Sequence, residues 1–193
     1  MRDLRGLRRT VVAAVLATVV LSGCSEKQEA NESLPTTASL TTESRPQLGP
    51  ADFPVPDEAR ERTPEGAVEF VRYYVALTQH LAVTSTPPDP LLELSDECRT
   101  CVRVAQSFDS DLAANYTYQE YEYEFEEYGP ALIHGDTAEV GFAYVQGPII
   151  AVDSAGQVVP DRSAATPTEL QSGASLIWKD SIQSWVITGL TVG

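Results

Sequence analysis

The sequence predicts an α+β domain in which N-terminal helices pack on a curved antiparallel sheet, in the manner of a cone. Three observations carry that expectation. Apolar residues recur at three- and four-residue steps over 63–113, the period of a helix face. Tyr121, Tyr123 and Phe125 then alternate with Glu120, Glu122, Glu124 and Glu126, the period of a half-buried strand. From there to the C-terminus, apolar runs are separated by Gly, Asp and Ser turns. Helices first and strands afterwards is an α+β order. The stretch 53–193 is a normal size for one domain with one core.

Each element has a local reason. Phe53, Pro54, Val55 and Pro56 are extended, because a residue before proline avoids the helical region. Thr63 is an N-cap, Pro64 fits the first helical position, and Glu65 sits at the positive end of the helix dipole. Ala67, Phe70, Val71, Tyr74, Thr78 and Leu81 then give one apolar face to a helix that runs to about 83. Residues 84–88 break it. Asp89 and Pro90 start a short helix with Leu91, Leu92 and Leu94. Ser95 or Asp96 is expected to cap a third helix over 97–113, with Cys98, Cys101, Val102, Ala105, Phe108 and Leu112 facing inward.

The strands begin at 120–128. Residues 131–133 and 137–145 form a hairpin around His134, Gly135 and Asp136. Gly147 and Pro148 are expected to break the second strand before 149–152. Ser154, Ala155 and Gly156 make a turn, 161–168 a loop, and 170–178 with 184–192 a closing hairpin that carries Trp178 and Trp185 into the core.

Ahead of the domain lie two segments of different character. Arg2, Arg5, Arg8 and Arg9 precede an apolar run over 11–20, too short for the roughly 20 residues that span a bilayer. A basic start, a brief apolar core and small residues at its end read as an export leader. It closes on Leu21, Ser22, Gly23 and Cys24, the pattern of a lipobox. The expectation is a lipoprotein signal peptide over 1–23, with Cys24 lipidated and held on the extracytoplasmic face of the cell membrane. Residues 24–52 are rich in Ser, Thr, Glu and Pro and poor in apolar side chains, the composition of a disordered tether.

The chain of 193 residues has a formal net charge of −15. The leader holds four of the 13 basic residues and one of the 28 acidic ones, leaving nine against 27 beyond it. Such a surface repels phosphate backbones, so nucleic acid is excluded as a partner.

Few residues carry candidate chemistry. With Cys24 assigned to lipid, Cys98 and Cys101 remain as a pair in an oxidising compartment. Three apart at a helix start, they fit a short disulfide; a redox dithiol and a metal site are the alternatives, the latter needing ligands that only His80 and His134 offer. The run 120–127 reads first as a solvated acidic strand face and second as a surface for calcium or a cationic ligand. The eight tyrosines read as core with hydroxyls reaching outward, or as the lining of a pocket. Asp136, Asp153, Glu139 and His134 are the residues worth testing as acids or bases. No cofactor motif is present.

The segments FPVPDEAR at 53–60, TPEGAVEFVRYY at 63–74 and LSDECRTC at 94–101 resemble an uncharacterised family of actinobacterial lipoproteins. The closing hairpin is similar to the last strands of nuclear-transport-factor-2-like cones, and that cone (cystatin-like in outline) is the fold the resemblance implies. It implies no reaction, because the fold hosts enzymes and binding modules alike. The functional expectation is a non-catalytic module that binds a small ligand or an envelope protein. An envelope enzyme with a pocket inside the cone, of isomerase or dehydratase type, is the alternative, followed by a thiol-redox lipoprotein.

Overall fold

A computed structural model describes residues 45–193. The leader, Cys24 and most of the expected tether lie outside the described residues. A 3-10 turn at Asp57–Arg60 leads into helix α1 (Pro64–Thr84), followed by α2 (Asp89–Glu93) and α3 (Arg99–Ala113). Five strands follow: β1 (Thr117–Glu127), β2 (Leu132–His134), β3 (Thr137–Val152), β4 (Thr168–Lys179) and β5 (Ser184–Val192). They form one antiparallel sheet in the order β1-β3-β4-β5, with β2 continuing the β1 edge alongside β3. The molecule is α+β: a few helices packed on an open antiparallel sheet.

Helix α1 starts as its sequence dictates. Thr63 is extended and its hydroxyl accepts from the Gly66 amide at 3.0 Å, with Pro64 behind it. The helix is apolar on more than one face. Phe70, Val71, Tyr74, Leu77 and Leu81 are buried, and so are Val68, Tyr73 and Val75 beside the expected stripe. The sheet covers one side. Inward-facing Phe142, Tyr144, Leu176, Trp185 and Ile187 are all buried, with Tyr121, Tyr123 and Phe125 half-buried on β1. The rings pair face to face, Phe125 on Phe142 at 4.6 Å and Tyr123 on Tyr144 at 5.8 Å.

A second side of α1 is covered by residues 46–56. Phe53 stacks between Tyr73 at 5.4 Å and His80 at 4.6 Å, and its carbonyl accepts from the Tyr73 hydroxyl. Leu48 packs on the core, and its carbonyl accepts from the Val55 amide at 2.9 Å. The buried Arg60 guanidinium donates to the Pro46, Ile182 and Gln183 carbonyls, fastening this strap to the β4–β5 turn. Residues 46–52, the end of the expected tether, thus lie against the domain.

Four local readings change. Val102, expected to face inward on α3, is exposed. Helix α3 is capped by Cys98, whose Sγ accepts from the Cys101 amide at 3.1 Å, in place of Ser95 or Asp96. Those two residues are committed elsewhere: the Ile187 amide donates to Leu94, and the Asp96 amide to Ile187, so 94–96 cover the open edge of β5. Strand β3 runs through Gly147 and Pro148 instead of breaking. The two stand opposite Glu122 alone in a bulge between the Tyr121 and Tyr123 pairings, beyond the end of the β4 ladder at Gln146. The donor that Pro148 lacks is therefore not required there. Strand β4 starts at Thr168, inside the expected loop.

The other edge, β1, is partly blocked by α1. The Gln79 amide donates to the Tyr121 carbonyl, and Arg72 donates to the Phe125 carbonyl at 3.2 Å. Arg72 also lies over the Phe125 ring at 4.6 Å and pairs with Glu127 at 2.6 Å.

Gly66 offers a contest of two effects. Alanine in a helix ordinarily gains roughly 0.5–1 kcal/mol over glycine. A Cβ at 66 would meet the Glu61 carbonyl oxygen at 2.2 Å, a backbone atom that cannot step aside alone. The clash wins: Gly66→Ala should lose about 1–3 kcal/mol in urea denaturation. An unchanged or raised midpoint would show that the 61–63 turn yields freely.

Candidate functional site

The interior between helices and sheet is filled by its own side chains. Tyr73 and Tyr74 are buried, their hydroxyls donating to the Phe53 and Leu91 carbonyls at 2.8 and 3.0 Å. Loss of water raises the Tyr73, Tyr74 and Tyr144 phenols above the ordinary tyrosine range, and raises Tyr121 and Tyr123 in the same sense. These rings pack against one another and not around a space. Beside Phe108, Asp111 and Tyr118 lies a cavity of about 10 Å³, room for about one water.

That corner holds a group the sequence reading passed over. Asp111 on α3 is buried. It accepts from the Tyr118 hydroxyl at 2.6 Å and from Arg162 Nε at 2.5 Å. Arg162 is raised by this carboxylate, and Tyr118 is raised first by burial and then by the same charge. The trio joins the end of α3, the start of β1 and the 3-10 turn Pro160–Arg162. Every carboxylate oxygen is paired, which is the arrangement a buried charge needs to be tolerated. The inward position of Asp111, three after Phe108, was the one signal available.

The residues singled out as acids or bases do not converge. Asp136 pairs with Arg62 at the surface. Asp153 closes its own turn, accepting from the Ala155 and Gln157 amides at 2.9 Å each. His134 and Glu139 are exposed strand residues. His80 is largely enclosed, stacked on Phe53 with Nε2 at 3.1 Å from Asp52. Among the described residues no group of three or more His, Cys, Asp or Glu is placed to hold a metal.

Cys98 and Cys101 are disulfide-bonded, Cα to Cα 5.2 Å, and both are buried. The bond fixes the first turn of α3, directly after Glu97, whose φ of 53° is left-handed. Glu97, Arg99 and Thr100 in turn form one wall of a wide groove of about 980 Å³ on the face of the sheet turned away from α1. Its other wall is Tyr128, Pro130 and Leu132. Its floor is Glu139, Gly141, Gly173, Ser175 and Gly189. The floor residues of β3 and β4 alternate with buried Val140, Phe142, Ala174 and Leu176, which places them on the outer face. Tyr128 and Leu132 are each 60% exposed, unusual for large apolar side chains.

Two outcomes follow from this geometry. Protein alkylated without prior reduction should carry no label at Cys98 or Cys101 by mass spectrometry, and the double Ala variant should lose about 2 kcal/mol, the contribution of so short a loop. Two labelled cysteines would overturn the disulfide. The raised phenols give stability that is fully present below the unfolded tyrosine value of about 10 and is lost as pH climbs beyond it toward the folded values. The unfolding midpoint should therefore fall above about pH 10, and less steeply in Tyr144→Phe. A flat profile to higher pH would contradict the burial of these hydroxyls.

Among solved structures, the fold is similar to the intermembrane space region of the chloroplast protein ARC6, with a TM-score of 0.54 at 14% identity over 68% of this chain and 97% of that one. A calcium/calmodulin-dependent protein kinase II association domain from Xanthomonas campestris is aligned over 64% of this chain and 84% of that one, with a TM-score of 0.35 and 10% identity. At these identities the first likeness speaks for the fold alone. No curated protein matches the sequence. A family model described as a family of unknown function, DUF6318, matches residues 42–191, nearly all of the folded part together with the strap, and the chain belongs to that family.

Proposed function

We propose that this is an actinobacterial lipoprotein, held by an acylated Cys24 on the outer face of the cell membrane, whose domain is a non-catalytic binding module for an envelope protein or small ligand. The observation that carries the binding reading is where the space lies. Aromatic side chains fill the region between helices and sheet, the buried carboxylate there is fully paired, and the wide concavity is outside. An enzyme of the cone type needs the reverse: an open interior with a desolvated acid or base beside it. The nuclear-transport-factor-2-like cone remains our reading of the architecture, supported by helices laid on one face of a single antiparallel sheet. The anchor rests on the lipobox at 21–24 and the basic, apolar leader before it. A surface with 27 acidic and nine basic residues after the leader suits a domain kept clear of anionic headgroups.

Membrane fractionation of the native host tests the anchor. The full-length protein should sediment with membranes, incorporate a labelled fatty acid and begin at a modified Cys24 by mass spectrometry. Cys24→Ala should abolish the label. An unacylated wild-type chain, or one retaining residues 1–23, would overturn it.

A further inference from the structure

The floor of the outer groove contains glycines that would admit a side chain; Gly189 adjoins the β4–β5 bulge, whereas Gly141 and Gly173 lie in regular pairing. Gly141, Gly173 and Gly189 are absent from the positive-φ residues, so side chains are conformationally admissible. A Cβ on Gly141 would lie 3.4 Å from the Tyr128 ring, one on Gly173 3.6 Å from the Val140 carbonyl, and one on Gly189 3.5 Å from the Ser175 hydroxyl, all ordinary contacts. Glycine inside a strand weakens it by roughly 0.5–1 kcal/mol relative to alanine and commonly marks a place where another backbone approaches closely. Gly141 pairs with Gly173 across β3 and β4, and Gly189 pairs with Ser175 across β4 and β5, so the low patch is continuous across three strands.

Charge on this face is one-sided. From Thr117 to the end of β4 the only Lys or Arg residues are Arg162, which Asp111 holds, and Lys179, which pairs with Asp96. The outer face over the same stretch presents exposed Glu124, Glu126, Glu139 and Glu169, none of them in an ion pair among the described residues. Arg99, on the far wall, is the one cation among the lining residues. A second copy of the chain would bring a like-charged face, which costs affinity; a cationic partner gains from it. The exposed Tyr128 and Leu132 supply the apolar contact that charge alone lacks.

Resting on the binding-module reading, we propose that this groove docks an extended polypeptide segment carrying lysine or arginine beside apolar side chains. Its backbone lies over the glycine floor, its cations face Glu139 and the β1 glutamates, and its apolar side chains rest on Tyr128 and Leu132.

The test uses the full-length chain in neutral-lipid nanodiscs and two short fluorescein-labelled peptides. One alternates Lys with Val and Tyr; the other has Glu in place of Lys. The Lys peptide should raise fluorescence anisotropy in a saturable way. Gly173→Leu, which fills the floor, and Glu139→Lys, which leaves every buried side chain intact, should each weaken it at least about tenfold, or about 1.4 kcal/mol. Glu58→Lys makes the same charge change in the exposed part of the Asp57–Arg60 turn and should alter binding less than about twofold. Absence of Lys-peptide binding overturns the proposal. So does equal loss in Glu58→Lys, which would mean adsorption to net charge without a site. Binding of the Glu peptide instead leaves a binding module and removes its cationic partner. Self-association by sedimentation that Gly173→Leu abolishes gives the groove to a second copy. Failure of the anchor shows separately, in fractionation, and the same titration is then run on the full-length chain free in solution.

Discussion

A helix that is apolar around most of its circumference cannot stand on a sheet alone; it has to be covered on several sides. Helix α1 is that element, and the rest of the domain is its wrapping. The sheet takes Phe70, Tyr74 and Leu77, α2 reaches it through the Leu91 carbonyl, and the strap at 46–56 closes over Tyr73 and His80. Burying a large apolar side chain contributes about 1.5–3 kcal/mol, so no single neighbour could leave α1 uncovered without a cost comparable to the stability of a whole domain. The polar fastenings follow the same plan. Arg60 grips three carbonyls from two distant segments, and Arg72 and Gln79 reach from α1 to the open edge of β1. Arg60 thus ties one cover to another, and Arg72 and Gln79 tie the β1 edge to the helix itself.

On the inner face of the sheet, buried Phe142, Tyr144, Leu176, Trp185 and Ile187 and half-buried Tyr121, Tyr123 and Phe125 are taken up by the wrapping of α1. The outer face is left with small residues, carboxylates and two bare apolar side chains. The disulfide belongs to this outer side as much as to the core: it holds the first turn of α3, and with it Glu97 and Arg99, at the rim of the groove. A structural bond thereby shapes a surface.

Much of the architecture was legible from short-range chemistry. The Thr63, Pro64 and Glu65 start of α1, the alternation through β1 and the end of the closing hairpin at Val192 all came from neighbours in sequence. What escaped depends on partners far along the chain. Residues 46–52 look like tether because their composition is polar; only Arg60, which reaches Pro46, and Val55, which donates to Leu48, reveal that they dock. Asp111 looks like a surface acid until Arg162, 51 residues later, is brought beside it. Ser95 and Asp96 fit a cap by residue type but are drawn into pairing with β5, and Cys98 takes the role. The groove was hidden for a related reason. A glycine reads as a weak spot in a strand until the register sets Gly141 beside Gly173, and Gly189 beside Ser175, on one face of the sheet.

The cysteine pair has one more property. Both cysteines are buried, so a dissolved thiol meets the bond only when the start of α3 opens. The rate at which excess reductant opens the bond therefore clocks that breathing motion.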